Sequence, residues 1–235
     1  MIITSITHYG DKGNRYKIDV DGDYWYILAD TLIMDFHLRK GMEVDEAFLQ
    51  KVREAADYRK GRERAFYLLE RREHTRAELS QKLSRHIDRE TAEKIAVEME
   101  ELGLIRENAY AKRLAAYLSE TRHQGPRRIY QELMKKGFAR EDIDEALAEI
   151  ETDEDELVAF VRRKYARALS QTDEEESGWN RGYSKGKNRA IQGLMRLGHS
   201  FGESLAAVET VEAELSQEDA QDGVQDDAQD GAQDE

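Results

Sequence analysis

The stretch Pro126-Arg-Arg-Ile129-Tyr-Gln-Glu-Leu133-Met-Lys-Lys-Gly137-Phe-Ala-Arg-Glu-Asp-Ile143-Asp-Glu-Ala146-Leu147-Ala-Glu-Ile150 decides the fold. Apolar residues recur three and four positions apart on both sides of Gly137, the period of short amphipathic helices rather than of strands. Pro126 suits a first helical position, where its missing N–H leaves nothing unsatisfied, and Gly137 suits the residue that closes a helix. Both are read as structural boundary residues, and the unit is helix, turn, helix.

The unit recurs. A shift of 61 residues forward puts Ala190, Leu194, Gly198, Ala207, Val208 and Val211 at the equivalent places. A shift of 50 backward gives Leu79 and Leu83, and with a turn one residue shorter Ala92, Ile95, Ala96 and Met99 follow. Each pair is preceded by another amphipathic helix: Glu63 to Arg71, Ala109 to Thr121 and Glu156 to Leu169. The simplest organisation is three helices, three times over. One repeat of about 45 residues buries too little apolar surface to stand alone, so neighbouring copies are expected to pack into a curved array. The expected repeats are 61–106, 107–152 and 153–212, the third interrupted by an insert over 171–187. The insert is read as a mobile loop carrying Trp179 and Tyr183 near basic residues.

Ahead of the repeats, residues 1–60 read as a β-hairpin followed by short helices. Ile2, Ile3 and Ile6 open an apolar segment, Arg15 to Val20 alternates polar and apolar, Asp21-Gly22 supplies a turn, and Tyr24 to Leu28 returns. Helical patterns follow over Thr31 to Leu38 and Asp45 to Arg59. The fold class expected is mainly α: tandem three-helix repeats behind a small N-terminal β-hairpin/α region. The run Asp19-Val-Asp21-Gly22-Asp23 does not suit calcium. An EF-hand loop needs Gly at its sixth position and Glu at its twelfth, whereas here Gly is fourth and Asp30 is twelfth.

The 235 residues contain no Cys and one Pro, and carry a net charge of −14. Without cysteine there is no disulfide framework, thiolate metal site or cysteine nucleophile, which fits a reducing cytoplasm. The longest apolar run, Tyr24 to Ala29, is too short to cross a bilayer, and Met1-Ile-Ile-Thr-Ser-Ile lacks the pattern of a secretory leader. The chain is expected to be soluble and cytoplasmic, with no membrane partner. Its six histidines (His8, His37, His74, His86, His123, His199) are scattered singly. There is no His-x-x-x-His pair and no Gly-flanked Ser nucleophile, and Gly178 to Gly186 lacks the Walker spacing. No catalytic residue, metal or cofactor is expected; the chain is not read as an enzyme.

The charge is unevenly distributed. Eleven acidic residues and no basic one lie between Glu209 and Glu235, so the total of −14 leaves only −3 for residues 1–208. The tail ends in a four-residue pattern, Ala220-Gln-Asp-Gly to Ala232-Gln-Asp-Glu, with little apolar surface to offset ordering entropy. Residues 213–235 are read as a disordered acidic tail, serving solubility or acting as a decoy that competes with nucleic acid for the protein's own basic surface. Within the body, basic runs alternate with acidic ones. Ten acidic residues and no basic one lie between Glu141 and Glu156. The basic runs supply the candidate binding residues: Arg127, Arg128, Lys135 and Lys136; Arg162, Arg163, Lys164 and Arg167; Arg181, Lys185 and Arg189.

These residues carry a family likeness. Arg76-Ala-Glu-Leu-Ser-Gln-Lys-Leu83, Leu102-Gly-Leu-Ile-Arg-Glu-Asn-Ala-Tyr-Ala111, Arg122-His-Gln-Gly-Pro126 and Glu132-Leu-Met-Lys-Lys-Gly137-Phe resemble the RecX regulatory family, modulators of the bacterial recombinase RecA. The hairpin followed by Leu38-Arg-Lys-Gly-Met-Glu-Val44 is similar to the extension of Gram-positive members, and the likeness covers residues 1–211. It implies a three-repeat fold that enters the groove of a RecA–DNA filament and inhibits or reshapes its ATPase, strand-exchange and coprotease activities. It also implies a monomer whose partner is the RecA filament, with single- or double-stranded DNA as a further partner. Asn108 stands where the family usually has an acidic residue, and His199 where it has an aromatic or Ile. The rival readings are a helical module that binds DNA without RecA, and an inert helical scaffold.

Overall fold

The computed structural model describes residues 1–10, 14–150, 153–170 and 183–230, with side chains up to residue 218. The chain divides into two compact units, Met1–Glu107 and Asn108–Glu235.

The first unit opens with an antiparallel sheet of β1 (Ile3–His8), β2 (Arg15–Val20) and β3 (Asp23–Ala29), in the order β1-β2-β3. The Asp21-Gly22 turn between β2 and β3 has φ of 52° and 96°, the left-handed pair that matches strand twist. Period-2 alternation sends Ile18 and Leu28 inward with Ile3. Helix α1 (Asp30–Asp35) ends earlier than the Leu38 expected from sequence, and His37 takes a left-handed conformation.

Helix α2 (Glu46–Arg71) corrects the largest boundary expected. Its 26 residues are continuous, so position 60/61 lies inside a helix and not between domains. Leu49, Val52 and Ala56 pack on the sheet, while Ala65, Leu68 and Leu69 belong to the core of the first repeat. At Gly61, in the middle of this helix, a Cβ would lie 2.6 Å from Cδ1 of both Ile87 and Ile95. Its role is close packing against the first repeat, at a helix-propensity cost of about 1 kcal/mol. The Tyr26 hydroxyl on β3 donates to Asp57 on α2, and burial followed by this bond pushes its pKa up to about 12. The first repeat is completed by α3 (Arg76–Leu83) and α4 (Arg89–Glu101). Thr75 and Glu78 form a capping box on α3, and Asp88 caps α4 by accepting from the Thr91 N–H at 2.8 Å.

The second unit holds α5 (Glu107–Glu120, its first residue shared with the boundary), α6 (Pro126–Lys136), α7 (Arg140–Ala148), α8 (Glu154–Leu169), α9 (Lys185–Leu197) and α10 (Phe201–Asp230). Each repeat has its own core. Ala111, Ala115, Ile129, Leu133, Phe138, Ile143 and Ala146 fill one, and Leu157, Val161, Tyr165, Ala190, Leu194, Val208 and Val211 the other. Asn108 donates from its amide to Asp142 at 3.0 Å and Glu145 at 2.6 Å. An acidic residue at that place would face two like charges. Residues 171–182 of the insert, with Trp179 and Arg181, lie outside the described residues. Tyr183 does have a basic neighbour, the Lys187 ammonium, 5.0 Å from its ring centroid.

Helix α10 continues past residue 212, where the third repeat was expected to give way to disorder, and runs to Asp230. Ala, Glu and Gln are strong helix formers, and Arg162 on α8 holds Glu214 at 3.3 Å and also bonds Glu218. Low apolar content in a sequence does not register such an anchor. Among the described residues no helix is long and apolar enough to cross a membrane.

Candidate basic surface on the second and third repeats

The second and third repeats meet backbone to backbone. Helix α9 closes on Gly198 at φ +100°, and the N–H of Gly125, the N-cap residue of α6, donates to the carbonyl of Leu197 at 2.9 Å. A Cβ on Gly125 would lie 2.5 Å from Gly198 C and His199 N, and one on Gly198 2.4 Å from Arg128 N. Neither glycine can carry a side chain without moving backbone.

Two histidines seal this joint. His199 is 6% exposed, at the place Phe138 fills in the second repeat, and its Nε2 donates to the carbonyl of His123 at 3.0 Å. His123, in the loop ahead of α6, lies with its ring 4.4 Å from that of Phe160 on α8 and accepts from Arg163 at 3.3 Å. Arg128 of α6 and Arg163 of α8 therefore border one joint, with Arg196 two residues before Gly198. Sequence reasoning missed this role for both histidines, because only the fold brings residues 123 and 199 together.

Ten of the eleven candidate cations lie among the described residues and separate into three groups. Arg128, half-buried, reaches Glu132 at 2.7 Å, and Lys135 reaches the same carboxylate at 3.5 Å. Lys136 lies 5.8 Å from the Tyr110 ring centroid. Arg162 is held by Glu214 and Glu218, and its bond to Glu218 raises its pKa. These four serve the fold in part. Arg127, Arg167, Lys185 and Arg189 are exposed and form no ion pair among the described residues, although Arg127 stands near enough to Glu203 to help lower its pKa. Arg163 and Lys164 lie 5.8 and 5.1 Å from the Phe160 ring centroid, cations resting on an aromatic. Arg181 is outside the described residues.

Lys187, from the same basic stretch, has a structural job. Its ammonium is 3.1 Å from Glu209 and 2.9 Å from Glu212, fastening α9 to α10. Burial lowers its pKa, but the two carboxylates outweigh that and the net shift is upward. Among the described residues no group of His, Cys, Asp or Glu is arranged to hold a metal ion.

Known proteins share this architecture. Residues 107–147, the segment of α5 to α7, match the family described as RecX, second three-helix domain. Regulatory protein RecX of Limosilactobacillus reuteri is 30% identical over 200 residues, spanning 84% of this chain and 72% of that protein. The chain belongs to the RecX family. Regulatory protein RecX of Levilactobacillus brevis is 29% identical over 182 residues, 75% of this chain and 68% of the relative. Two crystal structures have the same fold. One of regulatory protein RecX has a TM-score of 0.58 at 24% identity, covering 90% of this chain and 98% of that one. The other, RecX from Lactobacillus salivarius, has a TM-score of 0.55 at 24% identity, covering 69% and 99%. The RecX relatives are named as regulatory proteins.

Proposed function

We propose that this RecX-family chain is a non-enzymatic regulator that binds the RecA–DNA nucleoprotein filament and inhibits or remodels its ATPase, strand-exchange and coprotease activities. Family membership supports the regulatory role. The observation that supports the binding surface is the Gly125–Leu197 joint, which has Arg128 of α6 beside Gly198 and Arg163 of α8 beside His123, while Arg127, Arg163, Arg167 and Arg189 form no ion pair among the described residues. Such a surface suits an acidic groove or phosphates, and its binding weakens as salt rises. A monomer working in the cytoplasm without cofactor fits this role.

The test is RecA ATPase on single-stranded DNA, with preformed and with nucleating filaments. Charge reversal at Arg127, Arg163, Arg167 and Arg189 is expected to relieve inhibition at least about 10-fold while helicity stays unchanged. Unaltered inhibition would sink this surface. Binding to bare single-stranded DNA as tight as to the filament would instead favour a DNA-binding module that needs no RecA.

A further inference from the structure

Helices α6 and α9 share more than the core positions that make them repeats. Shifted by 61 residues, Gln131-Glu-Leu-Met134-Lys135 falls on Gln192-Gly-Leu-Met195-Arg196. The shared Leu133 and Leu194 are fully buried, and the fold accounts for them. The other three positions point outward. Met134 and Met195 are 47% and 42% exposed, and Gln131, Lys135, Gln192 and Arg196 are all exposed. Spaced i, i+3, i+4, each set forms one patch: a thioether flanked by an amide and a cation.

Packing does not demand these side chains. Helix α3 of the first repeat builds the same element, burying Leu79 and Leu83 at 0% and 1% exposure. There the corresponding outward places hold Gln81, Ser84 and Arg85, without methionine. The complete patch thus occurs twice, on the two helices whose caps join at Gly125 and Gly198. A half-exposed methionine stands at equivalent places on both, and methionine at a surface suits an adaptable apolar contact.

Resting on the filament-binding reading, we propose that α6 and α9 are two copies of one recognition helix that engage the same site on two subunits of the recombinase filament. A partner fitting one patch has an apolar notch beside a carboxylate, and a filament of identical subunits offers that notch again at fixed spacing. Each contact can then be weak, because the second forms at high effective concentration once the first is made, and avidity multiplies them.

The experiment uses the full-length chain with Met134→Glu, Met195→Glu and the double substitution, with binding measured on preformed recombinase filaments and folding checked by circular dichroism. Each single variant is expected to lose on the order of 10²-fold in affinity, the two to a similar extent, and the double variant at least ~10-fold more. At saturation the natural chain should occupy two or more filament subunits per copy. A silent methionine beside a decisive one, a double variant no weaker than the worse single, or one chain per subunit overturns the proposal and leaves filament binding standing. A natural chain that does not bind filaments sinks the filament-binding reading and this proposal together.

Discussion

The N–H of Gly125 and the carbonyl of Leu197, 72 positions apart in sequence, are hydrogen-bonded at 2.9 Å, so one repeat's helix start satisfies the end of the next repeat's helix. The last carbonyls of a helix have no partner within it, and here the neighbouring repeat supplies one. Because the contact is made by backbone, it fixes where the basic side chains on either side stand.

Gly125→Ala therefore should not be tolerated. Its Cβ meets backbone atoms 2.5 Å away, which cannot rotate aside, and the cost expected is about 3 kcal/mol or more. Gly137→Ala is the comparison. At φ +81° the left-handed backbone opposes a side chain, and about 1–2 kcal/mol is expected. Urea denaturation followed by circular dichroism ranks the two; equal midpoints would show that the joint is looser than its geometry.

The assembly of the repeats is only partly legible in the sequence. Pro126 and Gly137 announce a helix start and stop, and the structure agrees at both because capping is a local matter. The boundary expected at 60/61 fails, since what makes Gly61 useful inside a helix, Ile87 and Ile95 arriving from later in the chain, is tertiary. The end of α10 departs in the opposite way: Ala, Glu and Gln favour helix over the segment that low apolar content assigns to a tail, and Arg162 on α8 reaches two of its carboxylates. For the candidate surface, sequence locates the basic runs but cannot separate Arg162, held by α10, from its neighbour Arg163 at the joint. That distinction depends on which carboxylates fold against each.

His74 should make the first unit sensitive to mild acid. It is 3% exposed, its Nδ1–H donates to the carbonyl of Arg72 at 2.9 Å, and its Nε2 accepts from the Lys82 ammonium at 2.9 Å. Burial, with Arg72 and Lys82 adding to it, lowers its pKa below 6.5 despite the Arg72 carbonyl. Below pH 6.5 the unfolded chain takes up a proton that the folded chain refuses. Stability is therefore lost as pH falls from 6.5 toward the folded value. Thermal unfolding of the natural chain and of His74→Gln between about pH 5 and 8 isolates this effect. The variant should have a flatter profile and lose about 1 kcal/mol at neutral pH through a missing hydrogen bond. Parallel profiles would remove His74 as the cause.

Gly193 in α9 offers a reversal of sign. A Cβ there would sit 2.1 Å from the Tyr165 hydroxyl oxygen on α8 and 3.0 Å from its Cζ. Gly193→Ala alone is expected to cost about 1–2 kcal/mol through overpacking. With Tyr165→Phe the hydroxyl is gone, and the gain in helix propensity of about 1 kcal/mol becomes available. A double-mutant cycle should give a favourable coupling of about 2–3 kcal/mol, and additive effects would exclude this contact as the origin.

Helix α10 should limit access to the basic surface. Glu214 and Glu218 occupy Arg162, and deletion after Ser216 removes Glu218 among eight of the eleven acidic residues that lie from Glu209 to Glu235. If the acidic segment competes with polyanions for Arg162 and its neighbours, the truncated chain should bind single-stranded DNA several-fold more tightly at low salt, with a steeper salt dependence. The advantage should fade as salt screens the exposed pairs, which at rest add little to stability. Glu218→Gln in the full chain should give a smaller gain in the same direction, because it loosens the hold on Arg162 while leaving most of the negative charge in place. A salt titration of DNA binding across the three proteins decides the matter. If truncation changes solubility and leaves affinity untouched at every salt concentration, α10 braces the third repeat and does not guard its surface.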